Sequence, residues 1–411
     1  EVDVETIPVP NTDDQVDVIY SVEEETTGSV GGNIGYSDFG LMLGFNLQEQ
    51  NFLGSGNTVG IGINKNIYSE MYNISYMNPY ATRDGVSLGY NLYFRETDYG
   101  EFNVANYLTN SNGFGAQFGY PISDITRLGF NITYDKTDID VGSLPAREIY
   151  DFVSAEGNIF ETLSAQLSWQ RVTLNRGLFP TDGASTVLSF SSTIPGSDLS
   201  YYRLNVRQRY YQPLTQNLVF GFQGELGYLN AYGDTEETPF FQNFYAGGPR
   251  SLRGFESNTL GPRSTDAPCY EFNYAEGTCP NLLDIDGDGE LDTPYYNPYA
   301  NQTSRYRDAP IGGNIKIEGS LQLIFKLPFI EDQRSLRSAF FFDFGNVFSD
   351  NCKEYQINCS EPSIDDLRYS YGVGITWITG FGPMSLAIAK PTNAGPRERT
   401  EEFQFTVGNV F

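Results

Sequence analysis

Apolar and polar residues alternate one for one along most of this chain, which is the period of a β-strand. The clearest runs are 41–48, 86–95, 315–326 and 369–377, in which nearly every second residue is apolar. Successive side chains of a strand point to opposite faces of the sheet, so each run has one apolar and one polar face. About sixteen such segments lie between residues 28 and 411, and the pattern therefore predicts an all-β fold.

Two architectures could use such strands. A soluble sandwich buries the apolar faces against a second sheet, whereas a membrane barrel turns them toward lipid around a polar lumen. Each segment runs for about ten residues, enough to cross a tilted bilayer, and Tyr and Phe recur at the segment ends. Short connections such as 80–85 and 120–126 alternate with long ones at 137–160, 232–310 and 349–367. These features favour a transmembrane antiparallel β-barrel of about sixteen strands.

The composition of the chain excludes several classes of function. The 411 residues include no run of 18 apolar residues, which excludes a transmembrane helix. The formal net charge of −27 argues against a nucleic-acid partner, which requires a basic surface. The chain has no histidine, so Ser-His-Asp catalysis, Cys-His catalysis and His-ligated zinc are excluded. We predict that the protein is not an enzyme.

The four cysteines form two close pairs, each inside a polar loop. They are Cys269 with Cys279 and Cys352 with Cys359. This spacing predicts two local disulfides formed in an oxidising compartment. The alternative is four free surface thiols.

The stretch DIDGDGELD (284–292) resembles a calcium-binding loop. Its ligand positions are filled by Asp284, Asp286, Asp288, Glu290 and Asp292. Gly289 stands where such a loop turns sharply, whereas Tyr295 replaces the bidentate glutamate. The sequence therefore predicts no cofactor except a calcium ion in this loop, and the alternative is an acidic, solvated loop tip.

Residues 1–27 differ from the rest of the chain. They hold two short β-like runs around a turn and few aromatic residues, and the composition shifts toward Gly and aromatics near Gly28. This pattern predicts the last part of an α+β domain ahead of a barrel at 28–411. Within the barrel region, 145–158 has the composition of a short surface helix.

Several fixed-order stretches resemble one family, the outer-membrane β-barrel assembly proteins. They are NFLGSGNTVGIG (51–62), MNPYATRDGVSLG (77–89), RGLFPTDGA (176–184), TIPGSD (193–198), QNFYAGGPRSLRGFESNTLGPR (242–263), FFFDFGNVF (340–348) and FQFTVGNVF (403–411). The family's Val-Arg-Gly-Phe signature is here Leu252-Arg253-Gly254-Phe255, a mild departure. The resemblance implies that residues 1–27 end the last periplasmic POTRA domain, and that further POTRA domains precede it in the complete protein.

The resemblance also implies that the loop at 232–310 folds back into the barrel, where its arginine meets acidic groups of the inner wall. Alternation supports this geometry. Phe340, Phe342, Phe344 and Phe348 share one parity, and Ala339, Asp343, Gly345 and Val347 share the other. Because the phenylalanines belong on lipid, Asp343 should face the lumen. We therefore predict a charge-assisted, bidentate contact between Arg253 and Asp343.

The residues around this contact complete the predicted loop attachment. Gly254 permits close backbone approach, and Phe255 follows it in the signature. The family's second acidic partner is replaced here by Gln322, which weakens the acidic environment of the arginine. In the alternative, Arg253 is a solvated loop cation.

A barrel must close its first strand on its last, because unpaired backbone groups are costly in lipid. We call this junction the seam. The first strand, 28–38, is rich in glycine, which weakens strand interiors, and a bend at Gly408 would remove ladder bonds from the last. The residues predicted to form the seam are Gly31, Gly32, Asn33, Ile34, Gly35, Tyr36, Phe405, Thr406, Val407, Gly408 and Phe411. In the alternative, the glycines simply suit a curved wall.

The resemblance implies a non-enzymatic insertase. Unfolded outer-membrane proteins would add strands at the opened seam by β-augmentation. Periplasmic accessory lipoproteins, outer-membrane lipid and lipopolysaccharide are the other implied partners. The implied location is the bacterial outer membrane, with the long loops extracellular and the N-terminus periplasmic. A protein-secretion pore of the same superfamily is the main alternative, and a porin, an adhesin or an outer-membrane hydrolase is a weaker one.

Overall fold

A computed structural model describes most of the chain. The described residues are 2–10, 15–22, 26–102, 104–141, 146–265, 269–273, 278–282, 309–327, 330, 335–356, 358–380 and 382–408. Of residues 2, 3, 22, 269–273 and 278–282, only the backbone is described.

Sixteen strands form one closed antiparallel barrel, as the alternation predicts. They are β1 (Gly28–Ser37), β2 (Gly40–Glu49), β3 (Thr58–Lys65), β4 (Ser69–Asn78), β5 (Ser87–Asp98), β6 (Tyr107–Ser123), β7 (Thr126–Val141), β8 (Ile159–Val172), β9 (Gly183–Thr193), β10 (Tyr201–Thr215), β11 (Leu218–Ala231), β12 (Ile315–Phe325), β13 (Leu336–Phe348), β14 (Arg368–Thr379), β15 (Gly382–Pro391) and β16 (Phe403–Val407). Each strand pairs with the next along the chain, and β16 pairs with β1.

The ladder register keeps apolar residues on the outer side of the barrel. Phe114 of β6 lies opposite both Leu92 of β5 and Tyr134 of β7, and all three side chains are exposed. Aromatic rings also stack along this side, with centroids 6.0 Å apart for Tyr90 and Phe114. The apolar faces therefore form an outer surface and do not pack against a second sheet, so the soluble sandwich is wrong.

The two ends of the barrel differ in the length of their connections. The short connections from β6 to β7, from β10 to β11 and from β14 to β15 lie at one end, which we call the short-turn end. The longest connections, among them 142–158 and 232–314, lie at the other, which we call the long-loop end. The connection between β7 and β8 is shorter than the predicted 137–160, because both strands extend further than the sequence predicts.

A hydrophobic core lies at the long-loop end, and we call it the cap. Its buried residues are Val104, Ala105, Tyr107, Ile139, Ala146, Ile149, Phe152, Phe160, Leu199, Phe240, Ala309 and Ile311. The helix predicted at 145–158 is confirmed as α1 (Arg147–Glu156), which buries Ile149 and Phe152 in the cap and so is only partly a surface element. The cap joins four loops to the ends of the strands beneath them.

Smaller elements complete the structure. Strands Val2–Pro8 and Val16–Val22 form an N-terminal hairpin from the two β-like runs. Inside the longest loop, which has no clear strand in the sequence, Gly254–Phe255 pairs with Thr400–Glu401, and two further strands, Cys269–Asn273 and Thr278–Leu282, pair with each other. No helix in the described part of the chain is long and apolar enough to span a bilayer.

Candidate functional site

Arg253 and Asp343 meet inside the barrel. The guanidinium Nε donates to Asp343 Oδ2 at 2.7 Å, and Nη2 donates to Oδ1 at 2.7 Å, which is a bidentate pair. The backbone N–H of Arg253 also approaches Oδ2, at 3.3 Å. The Asp343 side chain is fully buried and that of Arg253 is 16% exposed, so the pair is shielded from water. Arg253 is therefore not a solvated loop cation.

The alternation in β13 explains the position of Asp343. Phe340 and Phe342 are exposed on the outer side, and Asp343 between Phe342 and Phe344 faces inward. Phe348 departs from the predicted pattern: it is completely buried, because the long-loop end covers that part of the strand. Phe341, which shares the inward parity of Asp343, lies beneath the guanidinium of Arg253 at 3.5 Å from its ring centroid.

Ser320 is a third partner of Arg253 that the sequence does not reveal. It lies directly opposite Asp343 in the β12–β13 ladder, and its hydroxyl accepts a hydrogen bond from Arg253 Nη2 at 3.0 Å. Gln322 donates from Nε2 to the same hydroxyl at 3.2 Å, so it reaches the arginine through Ser320. We call the contacts of Arg253 with Asp343, Ser320 and Phe341 the Arg253 joint.

Gly254 brings the loop backbone against the wall of the barrel. Its φ is +91°, and a Cβ at this position would lie 3.2 Å from Ala389 Cβ and 3.3 Å from Pro391 Cδ on β15. Any other residue would combine strain with crowding here. Phe255 is completely buried, in a cluster that includes Leu252 and Val347.

Gln404 of β16 holds the same two loop residues. Its Oε1 accepts from the Gly254 N–H at 3.3 Å, and its Nε2 donates to the Phe255 carbonyl at 2.8 Å. The side chain is almost completely buried. A polar residue of inward parity in a predicted strand is the only signal in the sequence, and it does not identify the partner.

In the described part of the chain, the seam has fewer ladder pairs than any other junction of the barrel. Among the described residues, β1 and β16 pair at one position, Tyr36 with Val407. By comparison, β15 and β16 pair at five positions and β1 and β2 at ten. Of the predicted seam residues, the structure places Ile34, Gly35 and Tyr36 beside Val407 and Gly408. Gly31, Gly32 and Asn33 lie on β1, Phe405 and Thr406 lie on β16, and Phe411 lies outside the described residues.

Gly408 approaches the first strand closely. Its φ is +77°, and a Cβ there would overlap the carbonyl oxygen of Ile34 and lie 2.9 Å from Gly35 Cα. Its N–H donates to the carbonyl of Pro383 at 2.8 Å. Gly32 is different, since a Cβ at that position meets no atom within 4 Å. Close packing therefore requires glycine at Gly408 but not at Gly32.

A cavity of about 410 Å³ separates the Arg253 joint from the seam. Its lining includes Arg253, Gln322, Arg337, Gln404, Thr406 and Gly408. Thr406 and Gly408 at the end of the chain thus face open space instead of packed side chains, which limits what stabilises the seam from inside.

Glu148 at the start of α1 is a buried carboxylate in the cap. The N–H of Thr265 lies 3.0 Å from each of its oxygens, and Gln356 Nε2 donates to Oε1 at 3.3 Å. Burial raises the pKa of Glu148, and the hydrogen bonds from Thr265 oppose the rise. This carboxylate connects three loops.

The other predicted sites have different outcomes. Cys352 and Cys359 form a disulfide, as predicted. The side chains of Cys269 and Cys279 lie outside the described part of the chain, so their disulfide stays a prediction. The five predicted calcium ligands within 284–292 also lie outside it, and the calcium site stays a prediction.

Residues 51–411 match the model of the Omp85 superfamily domain. The chain belongs to the Omp85 superfamily. Among Omp85-type relatives, it is 28% identical to the outer membrane protein assembly factor BamA of Neisseria meningitidis serogroup B over all of this chain and 50% of that protein. It is 23% identical to the sorting and assembly machinery component 50 homolog of Mus musculus, over 88% of this chain and 67% of that protein.

Solved structures agree with the Omp85 assignment. The crystal structure of BamA from Haemophilus ducreyi lacking POTRA domains 1–3 is similar with a TM-score of 0.80 and 28% identity, over 100% of this chain and 75% of that one. CdiB from Escherichia coli shares the fold, with a TM-score of 0.58 and 12% identity over 99% of this chain and 67% of that one. This chain spans about half the length of the bacterial BamA proteins of Neisseria meningitidis and Nitratidesulfovibrio vulgaris that it matches.

Proposed function

We propose that this chain is the barrel of an assembly factor that folds and inserts β-barrel proteins into the bacterial outer membrane. The relatives named as assembly factors support this role. The observation that carries the proposal is the seam, where the described residues of the first and last strands share one ladder pair, Tyr36 with Val407.

The mechanism follows from the cost of backbone groups in lipid. One net hydrogen bond contributes about 0.5–1.5 kcal/mol, so a seam of this kind opens at a modest cost. Once open, β1 presents unpaired N–H and C=O groups that lipid cannot satisfy. An unfolded outer-membrane protein satisfies them by adding a strand, which is β-augmentation. No covalent chemistry is involved, so the protein is not an enzyme.

This role determines the orientation and partners that we propose. The long-loop end is extracellular, and the N-terminal hairpin, as the end of a POTRA domain, is periplasmic. Accessory lipoproteins bind on the periplasmic side, while lipid and lipopolysaccharide contact the apolar outer surface. We disfavour the secretion pore, because the cap packs buried side chains from four loops across the long-loop end, where a secreted chain would leave.

A disulfide across the seam tests the proposal. Tyr36 and Val407 lie directly opposite each other, so Tyr36→Cys with Val407→Cys should form a bond. In cells that depend on this protein, the oxidised pair should stop the assembly of other outer-membrane barrels. Growth and normal assembly with complete cross-linking would contradict the proposal.

A matched control uses the neighbouring junction. Ile34 and Leu43 are ladder partners on the exposed outer side of β1 and β2, where ten pairs hold the strands together. A disulfide between Ile34→Cys and Leu43→Cys should leave assembly intact, because this junction need not open. Both pairs are made with the native cysteines retained.

A further inference from the structure

One segment of the long loop contacts both sides of the seam. This segment, residues 253–259, begins at the Arg253 joint and continues across the long-loop end of β16 and β1. We call it the bridging segment. The Arg253 joint attaches the first residue of the bridging segment to β12 and β13. The start of the segment is therefore held against the barrel wall.

The bridging segment is bonded repeatedly to the last strand and the residues before it. Gly254 and Phe255 pair with Glu401 and Thr400, and Gln404 bonds to the same two loop residues. Further on, the Glu256 N–H donates to the carbonyl of Arg399 at 3.0 Å, and the side chains of these residues form an ion pair at 3.1 Å.

The bridging segment also contacts the other side of the seam, next to the first strand. Ser257 is buried, and its hydroxyl donates a hydrogen bond to Oδ2 of Asp38, which follows directly after β1. Asn258 Nδ2 donates to the carbonyl of Phe102 at 2.9 Å. The ring of Phe102 stacks on Phe39, next to Asp38, with centroids 4.8 Å apart.

The bridging segment connects the two sides of the seam in addition to the ladder. Among the described residues, the strands β1 and β16 share one ladder pair, whereas the bridging segment is bonded to the last strand at several atoms and to Asp38 by a hydrogen bond to a charged group. A hydrogen bond to a charged group contributes more than a neutral one. The loop therefore adds a second connection across this junction, in addition to the ladder pair.

We propose that Gln404 and Asp38 are positioning residues that act through the bridging segment to hold the long-loop end of the seam closed. Opening of the seam requires release of the contact between Ser257 and Asp38. A role for these contacts in barrel assembly rests on the proposed function. The closure of the seam can be measured on the purified protein alone.

Amide hydrogen exchange of the folded protein in lipid nanodiscs, without any substrate, tests the inference. Asp38→Ala, Ser257→Ala and Gln404→Ala should each speed exchange in peptides covering 33–37 and 403–408. An increase of about tenfold is expected for Asp38→Ala and Ser257→Ala, because a hydrogen bond to a charged group shifts the open-to-closed ratio by at least that factor. Gln404→Ala removes two hydrogen bonds between neutral groups and should give a comparable increase. Peptides from β6 and β7 should not change.

Two controls distinguish seam opening from general loosening. Ser251→Ala removes a hydrogen bond from the same loop to Glu318 on β12, away from the seam, and should leave exchange at the seam unchanged. In protein cross-linked through Tyr36→Cys and Val407→Cys, the three variants should exchange like the parent. Because three variants are compared, one that fails to fold does not remove the test.

Unchanged seam exchange in the variants that fold would overturn the inference, as would faster exchange that persists in the cross-linked protein. Neither result bears on the assembly role, which the growth experiment tests separately. Conversely, if cross-linked cells assemble barrels normally, the proposed function fails while the closure measured by exchange stands.

Discussion

The Arg253 joint and the seam both bring distant parts of the chain together, and they are held very differently. The joint connects residues 90 positions apart through two charge-assisted bonds, a serine hydroxyl and an aromatic ring, with its aspartate fully buried. At the seam, the described residues of the first and last strands share one ladder pair. The inner side of its last residues faces a cavity.

The difference shows which parts of a barrel can move. A buried ion pair with complete hydrogen bonding resists separation, because each charge left alone would be desolvated. A ladder junction with one pair has no such penalty, provided that another strand or water satisfies the freed backbone groups. Loop attachment and strand closure are thus independent features of this barrel, and they can be altered separately.

The largest expected effect comes from breaking the joint. Asp343→Ala leaves the guanidinium of Arg253 in the barrel without its carboxylate, which should lower the free energy of unfolding by about 3–5 kcal/mol. Ser320→Ala removes one neutral partner and should cost about 1 kcal/mol. The measurement is a denaturant titration in which the folded fraction is monitored by the heat-dependent gel mobility of the barrel. Equal stability of Asp343→Ala and the unaltered protein would show that the joint does not stabilise the barrel.

A smaller and more local effect is expected at the seam. In Gly408→Ala, the new Cβ overlaps the Ile34 carbonyl at a positive φ, a strain of about 1–3 kcal/mol. Separation of two weakly paired strands relieves this strain, so exchange at 33–37 and 403–408 should rise while the unfolding midpoint stays the same. Gly32→Ala, whose Cβ meets nothing within 4 Å, is the matched control. A lower midpoint without faster local exchange would argue that the seam is as firm as its neighbours.

The smallest effect concerns Glu148, a buried carboxylate that accepts hydrogen bonds from two neutral donors, the Thr265 N–H and the Gln356 side chain. Burial raises the pKa of Glu148, so its contribution to stability is full below its ordinary value of 4.5 and is lost as pH rises through the raised value. Glu148→Gln cannot ionise and should therefore slow amide exchange in α1 at neutral pH. The two proteins should converge below pH 4.5. A glutamine variant that exchanges faster at neutral pH would show that the ionised form is favoured.

Individual residues show which features of the structure can be predicted from the sequence. Alternation alone predicts that Asp343 faces inward, since parity is a property of one strand and needs no partner. Ser320 lies opposite Asp343 only because β12 and β13 pair in one register, which parity does not specify. The contacts of Gln404 are still harder to predict from the sequence, because its partners Gly254 and Phe255 belong to a loop. Parity predicts that Phe348 faces lipid, but the long-loop end covers it.

By itself, the sequence determined the strands, their two faces, the inward carboxylate and the arginine that meets it, because these follow from a period of two and from charge. Tertiary structure alone decided the register that adds Ser320, the attachment of the loop to Gln404 and Asp38, and the one ladder pair that the described residues share at the seam. These depend on which backbone atoms come within hydrogen-bonding distance after the barrel has closed, and no local pattern of residue types encodes that distance.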